Sequence, residues 1–301
     1  MKKIALATLL AATTMVATAQ VSVYGKISEF ADSTKTGTVK INSLVNDSSR
    51  FGIKAEEKLG HGLTARVVVE TSVVADDPKA GATTQLGDRQ STIGLSNKFG
   101  SIDLGRKEHS EYITMKNADP FGGALYSSVS VDVVNVRDKR IGDGAYLAAN
   151  FGPVFATYDR SMYTAPATLE ATSWSIGGKL GPVAAAVARF ESGTDYTNVV
   201  TASGKLAGFE LSTIQSDDKA GLVKTKGHFY GVTAPVTNEV SVKGSYATKT
   251  GLAAGEVKAY NVGVNYAFSK RTNVLVAYRN VDAGGKTNDV KQVGIGLSHS
   301  F

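Results

Sequence analysis

The feature that most constrains this chain is an alternation of apolar and polar side chains with a period of two. In the last segment, Val293, Ile295, Leu297 and Phe301 share one parity, while glycine, serine and glutamine occupy the other. Alternation of this kind places apolar and polar side chains on opposite faces of a β-strand. After residue 19 we find no run with the helical period of about 3.6 residues. The pattern predicts an all-β chain.

Segments with this alternation recur along the chain and predict about sixteen strands. Their expected spans are 21–32, 49–59, 63–75, 89–99, 101–107, 140–151, 153–162, 171–180, 183–191, 196–205, 207–216, 227–235, 239–249, 257–268, 272–282 and 289–301. The connectors alternate between short ones, such as Gly60-His61-Gly62, and long ones, such as 33–48 and 108–139. A transmembrane barrel sorts its connectors in this way, with short turns at the periplasmic rim and longer loops outside.

The number of strands decides which face is wet. A barrel of about eight strands can fill its interior with side chains, whereas about sixteen strands enclose a space too wide to fill. We therefore expect the apolar parity to face lipid and the polar parity to line a water-filled lumen. Closure of the sheet removes the unpaired edges that hydrocarbon does not accommodate. The predicted fold is an all-β, transmembrane antiparallel β-barrel that covers residues 20–301.

Residues 1–19 have the features of a signal peptide. Lys2 and Lys3 precede the apolar run 4–12, and Ala17-Thr18-Ala19 is a small-x-small cleavage site. Cleavage would lower the formal charge from +6 to +4, because two of 33 basic side chains leave and all 27 acidic ones stay. The chain has no cysteine, which excludes disulfides and thiolate metal sites.

The residues give no support for an enzyme. The histidines available as bases are His61, His109, His228 and His299, and no Gly-x-Ser-x-Gly nucleophile elbow accompanies them. The spacing of His, Asp and Glu that is typical of metal sites is also missing. We expect no catalytic centre, no metal and no cofactor. Basic residues are interleaved with acidic ones, so a nucleic-acid partner is not expected either.

Three stretches resemble the general diffusion porins of the betaproteobacterial type. They are Ser49-Arg50-Phe51-Gly52 with 56–63 and Glu70, the run 89–95 with 99–106, and the closing segment 293–301. Their order and spacing together are specific. The resemblance implies a sixteen-stranded, trimeric, passive channel surrounded by the lipid of the outer membrane. It also implies that the outer-membrane assembly machinery reads the final aromatic residue, Phe301.

The longest connector, 108–139, contains Asp119-Pro120-Phe121-Gly122-Gly123, which resembles the tip of the porin loop that folds into the lumen. Loops of this length in a compact fold are usually functional or disordered. We expect this third external loop to fold inward and to narrow the pore.

The resemblance also assigns charged residues to the constriction. The basic side would consist of Arg50, Arg89 and Arg140 with Arg106 close by, and the acidic side of Glu70, Asp119 and Asp132. Simple alternation puts Arg89 and Arg106 with the lipid-facing residues, unless a bulge at a strand end re-aims them. Most other lumen charges are expected to be ordinary solvated groups on a wet wall.

The predicted function is a passive outer-membrane channel for small hydrophilic solutes and ions. The excess of arginine in the constriction set and the positive net charge predict a mild preference for anions. A substrate-specific channel is one alternative, and it would need an aromatic track or a ligand cluster in the lumen. A barrel adhesin or structural protein is another, and single-channel conductance separates it from a pore.

Overall fold

A computed structural model describes residues 19–74, 85–128, 139–162, 170–253, 255–284 and 289–301. The signal-peptide prediction falls on residues outside these ranges, as does Asp132. Within the ranges, the one helix is α1 (Ser110–Ala118), and no helix is long and apolar enough to cross a membrane.

The remaining elements are strands. They are β1 (Gln20–Thr36), β2 (Val39–Asn46), β3 (Arg50–Gly60), β4 (Leu63–Ser72), β5 (Gln90–Asn97), β6 (Gly100–Glu108), β7 (Arg140–Phe151), β8 (Val154–Ser161), β9 (Ala171–Leu180), β10 (Val183–Ser192), β11 (Asp195–Leu206), β12 (Phe209–Ala220), β13 (Val223–Pro235), β14 (Val240–Leu252), β15 (Gly255–Ala267), β16 (Thr272–Asp282) and β17 (Val290–Ser300).

These strands close into one antiparallel barrel. The last strand, β17, pairs with β1 from Lys26↔Ser300 to Thr36↔Val290. The two segments β2 and β3 both pair with β1, and Asp47–Ser49 separates them. They therefore occupy one position in the wall, so seventeen segments give sixteen positions, which confirms the predicted fold.

The predicted long loop 33–48 is wrong. The chain continues as β1 to Thr36, turns at Gly37-Thr38 and returns as β2. Gly37 has φ of 56°, which a side chain disfavours and a two-residue hairpin turn uses. Tight turns also stand at 193–194 and 221–222, so the alternation of short and long connectors holds only in part. Most residues that flank these turns are polar or small, so the alternation of hydrophobicity is weaker there.

The outer face of the barrel is apolar. On β15, Tyr260, Val262, Val264 and Tyr266 are each 43–48 % exposed, whereas the intervening Asn261 is 3 % exposed. The same holds on β17, where Val293, Ile295 and Leu297 are exposed and the intervening Gly294 and Gly296 are buried. A closed wall with such an outer face is suited to hydrocarbon.

One side of the interior is filled by α1, which packs against β8 to β12. Met115 and the inward-facing Val199, Ile214 and Phe229 form a buried apolar cluster with 0–1 % exposure. Full burial of one such side chain contributes roughly 1.5–3 kcal/mol. This explains why apolar residues occur on the otherwise polar lumen parity of these strands.

Candidate functional site

Polar groups of the wall hold the amino-terminal end of α1. The backbone N–H of Ser110 donates to Asp159 Oδ2 on β8 (2.6 Å), and that of Glu111 donates to Ser173 Oγ on β9 (2.9 Å). His109 caps the helix, since its Nδ1 accepts from the N–H of Tyr112 (3.3 Å). The first N–H groups of a helix lack partners within it, and a carboxylate there is stabilised by the helix dipole. The wall therefore fixes where the inward-folded loop begins.

The tip of the loop is organised by Asp119. Its carboxylate accepts from the N–H of Phe121 (3.0 Å) and the N–H of Gly123 (2.7 Å). Gly122 and Gly123 have φ of 66° and 69°, so the turn needs glycine at both positions. Lys243 on β14 donates from Nζ to Pro120 O (2.8 Å) and ties the tip to the wall.

The inner wall leaves room for this tip at Gly231 on β13. A Cβ atom there would lie 2.6 Å from Pro120 Cδ, which is closer than side chains pack. The absence of a side chain lets the loop lie directly on the strand.

After the tip, the loop attaches to the strands where the barrel closes. The N–H of Leu125 donates to Asp47 Oδ1 (3.0 Å), and Tyr126 Oη donates to Asp32 Oδ1 on β1 (2.5 Å). Gln292 on β17 donates to that same Asp32 Oδ1 (3.0 Å). Asn261 on β15 donates to Ser128 Oγ (2.7 Å). The described part of the loop is thus held against the wall from β8 around to β1.

A cavity of about 720 Å³ lies between this loop and the opposite wall. Its lining includes seven basic side chains and two acidic ones: Lys26, Arg50, Arg89, Lys107, Lys116, Lys139 and Arg140, against Glu70 and Glu108. The loop contributes the face made of Tyr112, Ile113, Lys116, Asn117, Phe121 and Gly122 to Ala124. The cavity is therefore strongly cationic.

Each carboxylate of the lining is shared by two cations. Glu70 lies 2.7 Å from Arg89 and 3.6 Å from Arg50. Glu108 pairs with Arg140 (3.0 Å) and also with Lys116.

Carboxylates just outside the lining pair with two more of its cations. Asp47 lies 3.5 Å from Lys26, and Asp103 binds both Lys107 and Arg66 at 2.6 Å. With these partners included, eight cations face four carboxylates, so a positive excess remains. Burial lowers the pKa of Lys139, and the charge of the neighbouring Arg140 lowers it further.

The structure brings together four of the predicted site residues, namely Arg50, Glu70, Arg89 and Arg140. The side chain of Arg89 points into the barrel and pairs with Glu70. Arg89 precedes the first residue of β5, so the alternation of inward and outward side chains along that strand does not fix its direction.

The other predicted residues lie elsewhere. Arg106 is exposed on the parity of Leu104, and its Nε donates to Asp88 O (2.8 Å). Asp119 is buried in the loop tip, and Asp132 lies outside the described residues.

Sequence reasoning missed five charged residues of the lining: Lys26, Lys107, Glu108, Lys116 and Lys139. A signal existed for Lys26, which continues the inward parity of Ser22 and Tyr24 opposite the exposed Val21 and Val23. A signal existed for Lys107 too, since it has the inward parity of the buried Asp103, opposite the exposed Ile102 and Leu104.

Comparison with known proteins places this barrel in a family. The family model described as Gram-negative porin matches residues 5–301. The outer membrane porin protein 32 of Delftia acidovorans is 26 % identical over 84 % of this chain and 85 % of its own length.

Solved structures share the fold. The anion-selective porin from Comamonas acidovorans has a TM-score of 0.79 and 20 % identity, with 94 % of this chain and 100 % of that chain covered. The trimer form of OmpT, an outer membrane protein of Vibrio cholerae, has a TM-score of 0.71 and 12 % identity, with 94 % and 99 % covered. The match to the family model agrees with the closed barrel and the inward-folded loop. This chain therefore belongs to the Gram-negative porin family and is an outer-membrane porin channel.

Proposed function

We propose that the cationic cavity is the narrow section of a passive, water-filled channel that admits small anions in preference to cations. The observation that carries this is the lining, in which seven basic side chains surround two carboxylates. Low-dielectric walls focus the field of such a cluster and raise the local concentration of counter-ions. Rings of Arg and Lys are the arrangement that anion pores use.

The described face of the loop strengthens this preference. It contributes the ammonium of Lys116 to the cavity, and its carboxylate at Asp119 is turned away onto Phe121 and Gly123. The two carboxylates of the lining, Glu70 and Glu108, stand on the strand side among the arginines. Among the described residues, both sides of the cavity are therefore net positive, and they form no acidic wall along which a cation could pass.

Reversal potentials across a planar bilayer with a salt gradient test the proposal. The unmodified channel is expected to favour anions, and Arg89→Glu is expected to lower the ratio of anion to cation permeability several-fold. Arg106→Glu is the matched control, since Arg106 lies on the outer parity outside this lining. Cation preference in the unmodified channel, or equal effects of the two variants, would refute the proposal. The electrophoretic mobility of the folded barrel verifies that both variants assemble.

The preference for anions also agrees with the name of a protein of the same fold, the anion-selective porin from Comamonas acidovorans. Graded sugars in a liposome-swelling assay test whether passage is passive and limited by size. A cut-off that follows solute size alone supports a general pore, and selective uptake of one sugar would favour the substrate-specific alternative.

We further propose that the chain assembles as a homotrimer, as in the trimer form of OmpT. The exposed apolar wall supports contact with lipid and with neighbouring subunits. The carboxyl-terminal Phe301 is 45 % exposed, which supports its recognition by the assembly machinery. Mass measurement in detergent tests the trimer, and a monomeric channel would refute it. Phe301→Ala is expected to reduce the yield of assembled barrel in the outer membrane.

A further inference from the structure

A second cavity, of about 450 Å³, lies between residues 117–120 of the loop and the inner wall of β9 to β14. Among the described residues, Asn117 alone lines both this cavity and the cationic one. Pro182 of the turn at 181–182 also belongs to the lining, so the cavity lies toward the rim that has this turn. We name it the short-turn cavity.

Short side chains form the floor of the short-turn cavity. Register places Ala184 opposite Ser203, Ser203 opposite Ser212, and Ser212 opposite Gly231, in one row across four adjacent strands. These residues share the inward parity of the buried cluster that packs against α1. Pro120 of the loop tip rests on Gly231, and the other three positions of the row leave an open hollow.

Lys179 stands at the other end of this row. It lies on β9 directly opposite Ala184, and it is exposed. Neighbouring strands are about 4.8 Å apart, so Lys179 and Ser212 are on the order of 14 Å apart across the sheet. An extended lysine side chain and a six-carbon solute together cover that distance.

The lining holds three ammonium groups and two carboxylates, so one positive charge is in excess. Lys205 Nζ lies 2.9 Å from Glu210 Oε1, and Lys243 Nζ donates to a carbonyl of the loop tip. The carboxylate of Asp119 accepts from the N–H groups of its own turn. Among the described residues, no carboxylate lies within ion-pair distance of Lys179. Lys179 is therefore the cation that an anionic ligand would neutralise.

Neutral hydrogen-bonding groups follow Lys179 along the floor. Ser203 and Ser212 lie in the row itself, and Asn117 lines the opposite face. The Oγ atom of Ser212 is buried, and no described group is hydrogen bonded to it. A buried hydroxyl without a partner is unfavourable, so a ligand hydroxyl that reached it would stabilise the complex. The lining thus fits a solute with one negative charge and several hydroxyls.

We propose that the short-turn cavity binds a sugar acid, with the carboxylate at Lys179 and hydroxyls at Ser203 and Ser212. The volume falls in the range of roughly 300–1,000 Å³ that is usual for small-molecule sites. A small inorganic anion would reach Lys179 but would leave Ser212 without a partner. The site is separate from the cationic cavity, so the proposal does not rest on the ion preference of that cavity.

Calorimetric titration of gluconate into the detergent-folded full chain at low salt tests the proposal. Lys179→Gln is expected to weaken binding several-fold, because the carboxylate loses its cation. Ala184→Leu is expected to abolish binding, because the larger side chain fills the floor between Lys179 and Ser203 without changing any charge. Glucose, which lacks the carboxylate, is expected to bind several-fold more weakly than gluconate and equally to Lys179→Gln and the unmodified protein.

Two matched controls are expected to bind gluconate normally: Lys98→Gln in the turn before β6, and Ser22→Leu on the inward face of β1 outside both linings. Absence of gluconate binding, or unchanged affinity in either test variant, would overturn the proposal. Loss of binding in Lys26→Gln alone would also overturn it, since gluconate would then occupy the cationic cavity. If Ala184→Leu prevents folding, Lys179→Gln at an exposed position decides the question. Reversal potentials of the unmodified channel test the ion preference separately.

Discussion

The guanidinium Nε of Arg89 lies 2.7 Å from Oε1 of Glu70 inside the barrel, although Arg89 shares the parity of the outward-facing Ile93. Arg50 approaches the other oxygen of Glu70 at 3.6 Å. One carboxylate thus holds two arginines at the edge of the cationic cavity and masks part of their charge.

Glu70→Gln is therefore expected to raise the preference for anions. Loss of an ion pair worth ~0.5–1 kcal/mol corresponds to a roughly two- to fivefold change in the permeability ratio. Reversal potentials measure this change, with Glu57→Gln on the outer parity of β3 as the control. An unchanged ratio in Glu70→Gln would show that Arg50 and Arg89 do not set ion preference.

Tyr126→Phe is expected to loosen the return of the loop to the wall. The hydroxyl donates to Asp32 from a residue that is 1 % exposed, and a buried hydrogen bond to a charged acceptor contributes ~1.5–3 kcal/mol. Denaturant unfolding of the detergent-folded protein measures the loss, and current noise in single channels reports the looser loop. Tyr158→Phe removes a hydroxyl from the exposed outer face and should leave both unchanged.

Gly231→Ala is expected to lower single-channel conductance. The added methyl would occupy the space of Pro120, so the loop tip must move off the wall and into the cavity. Gly244→Ala on β14 is the control, because its Cβ would lie 3.4 Å from Val232 Cγ1, an ordinary contact. Equal conductance in the two variants would mean that the tip is not seated on β13.

The seating of α1 is expected to weaken as pH rises. Burial, and then the charge of Asp218, raise the pKa of Glu111 well above the ordinary value of 4.5. Because the pKa of Glu111 is higher in the folded protein than in the unfolded chain, its contribution to stability is fully present at pH values below the pKa of the unfolded chain. That contribution is lost as the pH rises toward the pKa of the folded protein.

Unfolding free energies measured across that window should fall in the unmodified protein and fall less in Glu111→Gln. Glu256→Gln, an exposed member of the Lys258 pair, should keep the normal pH dependence. A parallel pH dependence in Glu111→Gln would rule out this carboxyl as the cause.

The sequence predicted the membrane-facing wall because there one face meets hydrocarbon and the other water. The alternation of apolar and polar residues no longer predicts strands where both faces of the sheet meet water. The tops of β12 and β13 are polar on both faces around Asp217 and Asp218, so the turn at 221–222 was not anticipated. Helix α1 is short, and the side chains that seat it, Asp159 and Ser173, come from distant strands.

The site was predictable only in part for a related reason. Arginines within or beside recognisable strands, such as Arg50 and Arg140, could be assigned from the resemblance. Arg106 and Lys107 keep the alternation of β6, outward with Leu104 and inward with Asp103, so strand parity rather than the resemblance gives their directions. Asp119 is an acidic residue of the kind expected in a pore, but its carboxylate accepts hydrogen bonds from the N–H groups of its own turn and is not directed into the cavity.

Asp32 accepts hydrogen bonds from Tyr126 of the loop and from Gln292 of the final strand. The first and last strands must meet before this three-way junction exists. In a chain that is still being inserted, the first and last strands are not yet paired. Such a chain would lack the hydrogen bonds that hold the inward-folded loop at this point of the wall. The constriction would thus be completed in the same step in which the first and last strands pair. A partly inserted barrel would not yet select ions.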